Sequence, residues 1–172
     1  MGRTKIYSKT DSPIGELLLI SDGDLLTGLY FQRAHNGFGI PEGGIVNDDL
    51  DIFRNTTRQL KQYFDGSLKE FDIPVKFEGT TFQKSVWLEL FNIPYGETVS
   101  YLDIAKQVGD PTAARAVGWA NGKNPIPIIY PCHRVIGSNG KLTGYGGGLD
   151  KKEWLLRHEG AWPRVSDQMS LF

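Results

Sequence analysis

The stretch Asn124-Pro125-Ile126-Pro127-Ile128-Ile129-Tyr130-Pro131-Cys132-His133-Arg134-Val135 carries the single cysteine of the chain to the end of an apolar run. Ile126, Ile128 and Ile129 suit a short core segment, while the prolines at 125, 127 and 131 keep it from becoming a helix or a central strand. Cys132 is thereby expected where buried backbone meets a sharp turn. The adjacent His133 can take a proton from the thiol, directly or through water, and the thiolate is the nucleophilic form of cysteine. Taken alone, the pair also fits a buried structural cysteine beside a surface histidine.

Composition narrows the field around this stretch. A chain of 172 residues, 40% of them hydrophobic, buries one good core or two small ones and is neither disordered nor fibrous. One cysteine excludes an internal disulfide and a cysteine-rich zinc site, which fits a reducing cytoplasm. Met1-Gly2-Arg3-Thr4-Lys5-Ile6 has no apolar signal region, Ile6 spoils a myristoylation pattern, and no apolar run approaches a membrane span. The net charge of −1 is unevenly spread. Residues 1 to 79 carry 9 Lys and Arg against 12 Asp and Glu, whereas residues 80 to 165 carry 10 against 7. The half that holds Cys132 is the basic one, which permits phosphate contacts from one face.

From the N-terminus, Arg3 to Lys9, Glu16 to Ser21 and Leu25 to Phe31 read as strands separated by turns at 11–15 and 22–24, a β-meander. Residues 32 to 47 hold four glycines and a proline and read as a loop. Asp48 or Asp49 then caps a helix whose Leu50, Phe53, Thr57, Leu60 and Phe64 recur at spacings of three and four, ending at Gly66. Residues 68 to 79 alternate like a strand but contain Pro74, which makes them a surface connection between domains. No residue of this half carries evident chemistry.

The second half is more strongly patterned. Thr81 to Phe91 forms a helix with Phe82, Val86, Trp87 and Leu90 on its packing face, and Ser100 with Asp103 caps another that Gly109 ends. Asp110-Pro111 starts a third, through Trp119, completing a helix-turn-helix pattern. Its Ala113, Ala114, Ala116 and Gly118 permit close approach to a partner, and equally permit tight helix packing; Arg115 is its one charge. Beyond Cys132, Val135 to Leu142 reads as a hairpin turning at Asn139-Gly140, Gly144 to Gly148 as an open loop around Tyr145, and Lys151 to Glu159 as a last helix capped by Asp150 and Glu153.

Pro131-Cys132-His133-Arg134-Val135, with Asn124-Pro125 before it and Gly144-Tyr145-Gly146-Gly147-Gly148 and Trp154-Leu155-Leu156-Arg157-His158-Glu159-Gly160 after it, resembles the O6-alkylguanine-DNA alkyltransferases over about residues 80 to 162. Residues 1 to 79 match that family only in general layout. The resemblance implies an α/β, ribonuclease-H-like N-terminal domain over 1–79. It implies a mainly helical, winged-helix-like domain with the helix-turn-helix over 80–163, and 164–172 is then a disordered tail. It further implies direct reversal of DNA alkylation by a cytoplasmic monomer, with the alkyl group passing irreversibly from O6 of guanine, or O4 of thymine, to Cys132. His133 would accept the thiol proton, Glu159 orient the imidazole, Tyr101 serve the O6 proton and Asn124 support the loop and the thiolate. Arg115 would fill the gap left by a flipped base, which must leave the stack because pairing hides O6. Ala113, Ala114, Tyr101, Trp119 and Arg134 would complete the contact to double-stranded DNA, with Tyr145, Gly146, Val135 and Pro127 around the base. No cofactor and no metal is implied.

Two residues depart from the family pattern: Trp119, where a small residue is commoner, and Gly146, where many members have serine. The alternatives are a non-catalytic lesion-binding protein of the same fold and a cysteine hydrolase using Cys132, His133 and Glu159. The C-terminal Gln168-Met169-Ser170-Leu171-Phe172 is similar to the peptide with which bacterial polymerases and mismatch-repair proteins dock on the sliding clamp. A Leu171-Phe172 anchor with the Gln168 amide fixing its orientation suits that partner, as a tail folded on its own domain would suit the same residues.

Overall fold

The computed structural model describes residues 3–32 and 39–162. The chain divides into two compact units: residues 1–79 together with 125–127, and residues 80–124 together with 128–172. Gln168, Leu171 and Phe172 lie outside the described residues.

The first unit is a four-stranded sheet with one helix. β1 (Ile6–Thr10), β2 (Leu17–Ser21) and β3 (Leu26–Phe31) form the expected meander, and β4 (Ile45–Val46) pairs parallel with β1, so the order is β3-β2-β1-β4. β4 lies inside the stretch read as a loop; two residues are too short for an alternation to be seen. All of β2 is buried, as befits a central strand. At the far edge, the Leu29 N–H donates to the Pro125 carbonyl (2.9 Å), which places the proline-rich approach to Cys132 on β3. Proline is tolerated there because an edge strand needs no second donor.

α1 (Asp51–Asp65) buries Ile52, Phe53, Thr56, Gln59, Leu60 and Tyr63. The face is turned from the expected one, leaving Leu50, Thr57 and Phe64 only half-buried. Neither aspartate caps it: Leu50 is the N-cap, while Asp48 accepts from Ser8 and Asp49 pairs with Arg54. Gly66 ends the helix in the left-handed region at φ 86°. Within 68–79, Val75 makes one parallel bridge to Leu26 and the rest runs as connection.

The second unit packs α2 (Thr81–Phe91), α3 (Tyr101–Gln107) and α4 (Ala114–Gly122) against one another, with α5 (Leu149–His158) closing the site. α2 carries a capping box between Thr80 and Gln83, and α3 the expected one between Ser100 and Asp103. α4 begins later and runs further than the sequence suggests. The Asp110 carboxylate accepts from the Thr112 amide and hydroxyl, so 110–113 is a turn. The expected hairpin also gives way. β6 (Val135–Ile136) pairs parallel with β5 (Val99–Ser100), and only the turn around Asn139-Gly140 survives, with the Gly137 N–H donating to the Lys141 carbonyl (2.9 Å). α5 begins at Leu149 with Gly148 (φ 99°) as N-cap. Asp150 and Glu153 do not cap it, and Glu153 pairs instead with Arg157. Among the described residues, no helix is long and apolar enough to cross a membrane.

Candidate active site

Cys132 opens a single 3-10 turn, Cys132–Arg134, between the apolar run and β6. Every residue from Ile126 to Val135 is buried. Ile128 stands at φ 72°, a strained setting for a β-branched side chain that only firm packing on both sides sustains. The thiol is 4% exposed, and burial pushes its pKa up to about 11; a hydrogen bond from the Asn124 side chain opposes that rise. Asn124 also donates from Nδ2 to the Tyr130 carbonyl (2.7 Å), bracing the loop just before the cysteine.

His133 is fully buried, and its Nε2 lies 2.7 Å from Glu159 Oε1. Burial lowers the histidine pKa, with Glu159 opposing. Burial alone would raise the Glu159 carboxyl, but the bonds and charges of His133 and Arg134 outweigh it and hold the group well below the usual carboxylate range. An ionised Glu159 accepts from Nε2–H, which fixes the tautomer and leaves Nδ1 as the acceptor. That Nδ1 is buried and has no hydrogen-bond partner among the described residues. The unit therefore holds a protonated thiol, an adjacent neutral imidazole with one free lone pair, and a carboxylate that can steady an imidazolium.

Arg134 departs from the expected role. It is 5% exposed, and its guanidinium grips Glu159 at both oxygens (Nε to Oε2 2.8 Å, Nη2 to Oε1 3.0 Å) while Nη1 donates to the Ile93 carbonyl (2.6 Å). A guanidinium so engaged cannot meet a DNA phosphate; it neutralises the buried carboxylate instead. Glu159 completes its set by accepting from the Gly96 N–H at 3.4 Å.

Tyr101 begins α3 and donates from its hydroxyl to the Thr143 carbonyl (3.2 Å), while the Thr143 hydroxyl donates to it (3.1 Å). Its ring lies where a Cβ on Gly118 of α4 would be in ordinary contact. Along α4, Arg115 and Trp119 are exposed, the indole by 68%, with the Lys123 ammonium 4.7 Å from its ring. Ala113 and Ala114 are half-buried at the helix start. Tyr145 is half-buried, and burial first, then the charges of Cys132 and Glu159, push its hydroxyl pKa well up. Gly146 is exposed with open space where a side chain would stand, and Val135 is buried beside Arg134. Pro127 belongs to the segment grouped with the first unit.

The sequence reading passed over Lys152. It is fully buried, and its ammonium donates to the carbonyls of Val135 (2.6 Å), Thr143 (2.9 Å) and Gly144 (3.4 Å). Burial brings its pKa down to about 8, with Cys132 opposing. The signal was available: Lys152, Leu155, Leu156 and Glu159 fall at i, i+3, i+4 and i+7, one face of α5, so both charges sit on the stripe that packs inward. Asn121 was passed over too. It is 5% exposed in α4 and donates from Nδ2 to the Cys132 carbonyl at 3.4 Å.

Residues 81–161 match the family described as 6-O-methylguanine DNA methyltransferase, DNA binding domain, and residues 5–77 match the ribonuclease-like domain of the same family. A methylated-DNA–protein-cysteine methyltransferase of Methanosarcina acetivorans is 52% identical over 155 residues, which are 90% of this chain and 98% of that protein. One of Mycobacterium tuberculosis is 48% identical over 167 residues, 96% of this chain and 98% of that protein. The crystal structure of the M. tuberculosis OGT in complex with DNA superposes with a TM-score of 0.82 at 49% identity, covering 91% of this chain and 93% of that one. Two family matches that together take in both units, and relatives near 50% identical along almost their whole length, leave one conclusion: the chain belongs to the 6-O-methylguanine DNA methyltransferase family.

Proposed function

We propose that this protein repairs alkylated DNA by moving the alkyl group from O6 of guanine, and from O4 of thymine, onto Cys132 Sγ. A new S–C bond forms as the C–O6 bond breaks. The thiol proton passes to His133 Nδ1, directly or through one water, and Glu159 stabilises the imidazolium. O6 takes a proton as guanine leaves; the Tyr101 hydroxyl serves this once it exchanges Thr143 for the base. Asn124 steadies the loop and the forming thiolate, and Tyr145, Gly146, Val135 and Pro127 surround the base. Arg115 replaces the flipped nucleotide, with Ala113, Ala114, Tyr101 and Trp119 against the duplex. The thioether is stable, so each molecule acts once, and a reducing cytoplasm keeps the thiol ready.

The observation that carries this reading is the His133 imidazole, locked at Nε2 by Glu159 with Nδ1 free, on the residue next to a buried thiol. The relatives' names state, for those proteins, methyl transfer from methylated DNA to a protein cysteine. Protein incubated with duplex bearing labelled O6-methylguanine should take up one methyl per molecule, on Cys132. Cys132→Ala should end uptake and keep DNA binding, and Arg115→Ala should slow repair in duplex far more than reaction with the free base. Repeated turnover, above all on an ester or amide, would point to a hydrolase and overturn the reading. For the tail, a peptide covering 164–172 is expected to bind a bacterial sliding clamp through Gln168, Leu171 and Phe172; Leu171→Ala with Phe172→Ala should remove that binding and leave transfer intact.

A further inference from the structure

Residues 1–79 of the first unit have no part in the chemistry above and are the acidic half of the chain, with 12 Asp and Glu against 9 Lys and Arg. Four of those nine cations nevertheless line one groove. Between β1 and α1 lies a groove of about 550 Å³ whose rim carries Lys9, Arg54, Arg58 and Lys61 and whose floor includes the Phe53 ring. Asp48 is the one carboxylate in its lining, and its Oδ1 accepts from the Ser8 hydroxyl at 2.6 Å. Arg54 meets Asp49 at 3.0 Å at the surface, Arg58 donates to Asn55, and Lys61 has no hydrogen-bond or ion-pair partner among the described residues.

Arg54, Arg58 and Lys61 occupy i, i+4 and i+7 of one helix, an arrangement in which neighbouring like charges repel and lower helix stability. Three cations along seven residues span about 10 Å of helix axis. A nucleic-acid strand advances about 3.4 Å per phosphate, so such a ridge lies against about three phosphates in succession. A single small anion would be matched by cations converging on one point rather than by a line of them.

We propose that this groove is a second DNA contact, taking the phosphodiester backbone of a stretch other than the one read by α4. It rests on the DNA-repair reading above. It gives an acidic unit, which DNA would otherwise repel, one face that holds DNA through phosphates without reading sequence.

The test measures binding of the full chain to a long undamaged duplex as a function of salt. Each lost phosphate contact lowers the slope of log K against log salt by about 0.9. Arg58→Glu with Lys61→Glu should lower it by about 2 and leave methyl uptake from free O6-methylguanine unchanged. Lys5→Glu with Lys76→Glu makes the same charge change at exposed positions off the groove and should leave the slope near wild type. An unchanged slope in the groove variant overturns the proposal, as does an equal fall in both variants, which would mean only that net charge matters. Amide shifts over 54–62 that respond to inorganic phosphate and not to duplex would assign the groove to a small phosphate ligand, again overturning it. If no variant, nor the wild type, takes up methyl, the repair reading fails while the slope comparison still stands on its own.

Discussion

The two units differ in what they hide. The first buries Ser8, Ser21, Thr56 and Gln59, all neutral; the second buries His133, Arg134, Lys152 and Glu159 alongside Asn121. In the first unit each polar group is met by a near neighbour in the fold: Ser21 donates to the Leu25 carbonyl, Thr56 to that of Ile52, and Gln59 exchanges two bonds with the Asp72 backbone. Such groups need only one or two partners to be stable inside. A buried charge needs an opposite charge and a full set of hydrogen bonds, and replacing an ion pair with apolar residues is often no loss to stability. Four ionisable groups inside one small unit are therefore better explained by chemistry than by the fold's needs.

If that contrast is sound, the largest stability loss should come from removing Arg134. Arg134→Met leaves the Glu159 carboxylate buried with His133 and one weak backbone donor, an uncompensated charge that costs about 3–5 kcal/mol by denaturant unfolding. A loss under 1 kcal/mol would show the carboxylate reaching water, and the contrast between the units would collapse. Glu159→Gln adds a pH signature. The carboxyl pKa is depressed in the folded state, so its contribution is present above the unfolded value near 4.3 and fades as pH falls through the lower folded value. Acid unfolding should thus begin in the same range but lose stability less steeply in the variant. An acid limb as steep as wild type would assign that sensitivity elsewhere.

Lys152→Met comes next in size. The Val135 carbonyl loses its charged donor inside the protein, whereas Thr143 and Gly144 are exposed enough to turn to water, so the loss should be about 2 kcal/mol. The folded pKa near 8 lies below the unfolded value near 10.4, so this lysine makes stability rise over that window. The Cys132 thiol, near 11 in the folded protein against about 8.5 unfolded, makes it fall over much the same range, and the two offset each other in the wild type. The variant keeps only the thiol, so its stability should fall across that range where the wild type stays nearly level; a variant as level as the wild type would mean that another group titrates there.

The same contrast explains what was legible in the sequence. α2 could be read to the residue, because its apolar spacing and the threonines at its start agree, and the meander followed from turn residues between β-rich runs. Where one residue type served two settings, reading failed. Arg134 looks like a phosphate ligand in any list of cations, and only its bidentate grip on Glu159 shows otherwise. Val135 looks like the first strand of a hairpin, yet its partner is Val99, 36 positions earlier, a pairing local pattern cannot supply. The cap expected from Asp48 was absent for a similar reason, since the distant Ser8 hydroxyl donates to it. The resemblance points to Cys132, His133 and Glu159 because it spans both ends of the set, and the structure brings His133 and Glu159 within 2.7 Å.

The smallest effect, and the one that sharpens the comparison most, belongs to the first unit. Gln59 of α1 is 6% exposed; its Nε2 donates to the Asp72 carbonyl and its Oε1 accepts from the Asp72 N–H, both at 2.8 Å, pinning the connection to the helix. Gln59→Leu keeps the apolar volume and removes both of these bonds together with the one that Nε2 donates to Asn55 Oδ1 (2.9 Å), but Asp72 is exposed and Asn55 keeps its bond from Arg58, so the freed groups are not left buried and unpaired. Three neutral bonds with that escape should be worth about 1 kcal/mol, well below the Arg134 loss, and should show no dependence on pH between 4 and 10. Methyl uptake at Cys132 should be unchanged at a temperature where the variant is folded. A loss as large as that of Arg134→Met would mean that neutral and charged interiors are equally demanding in this protein, and the four buried ionisable groups would then no longer mark a site.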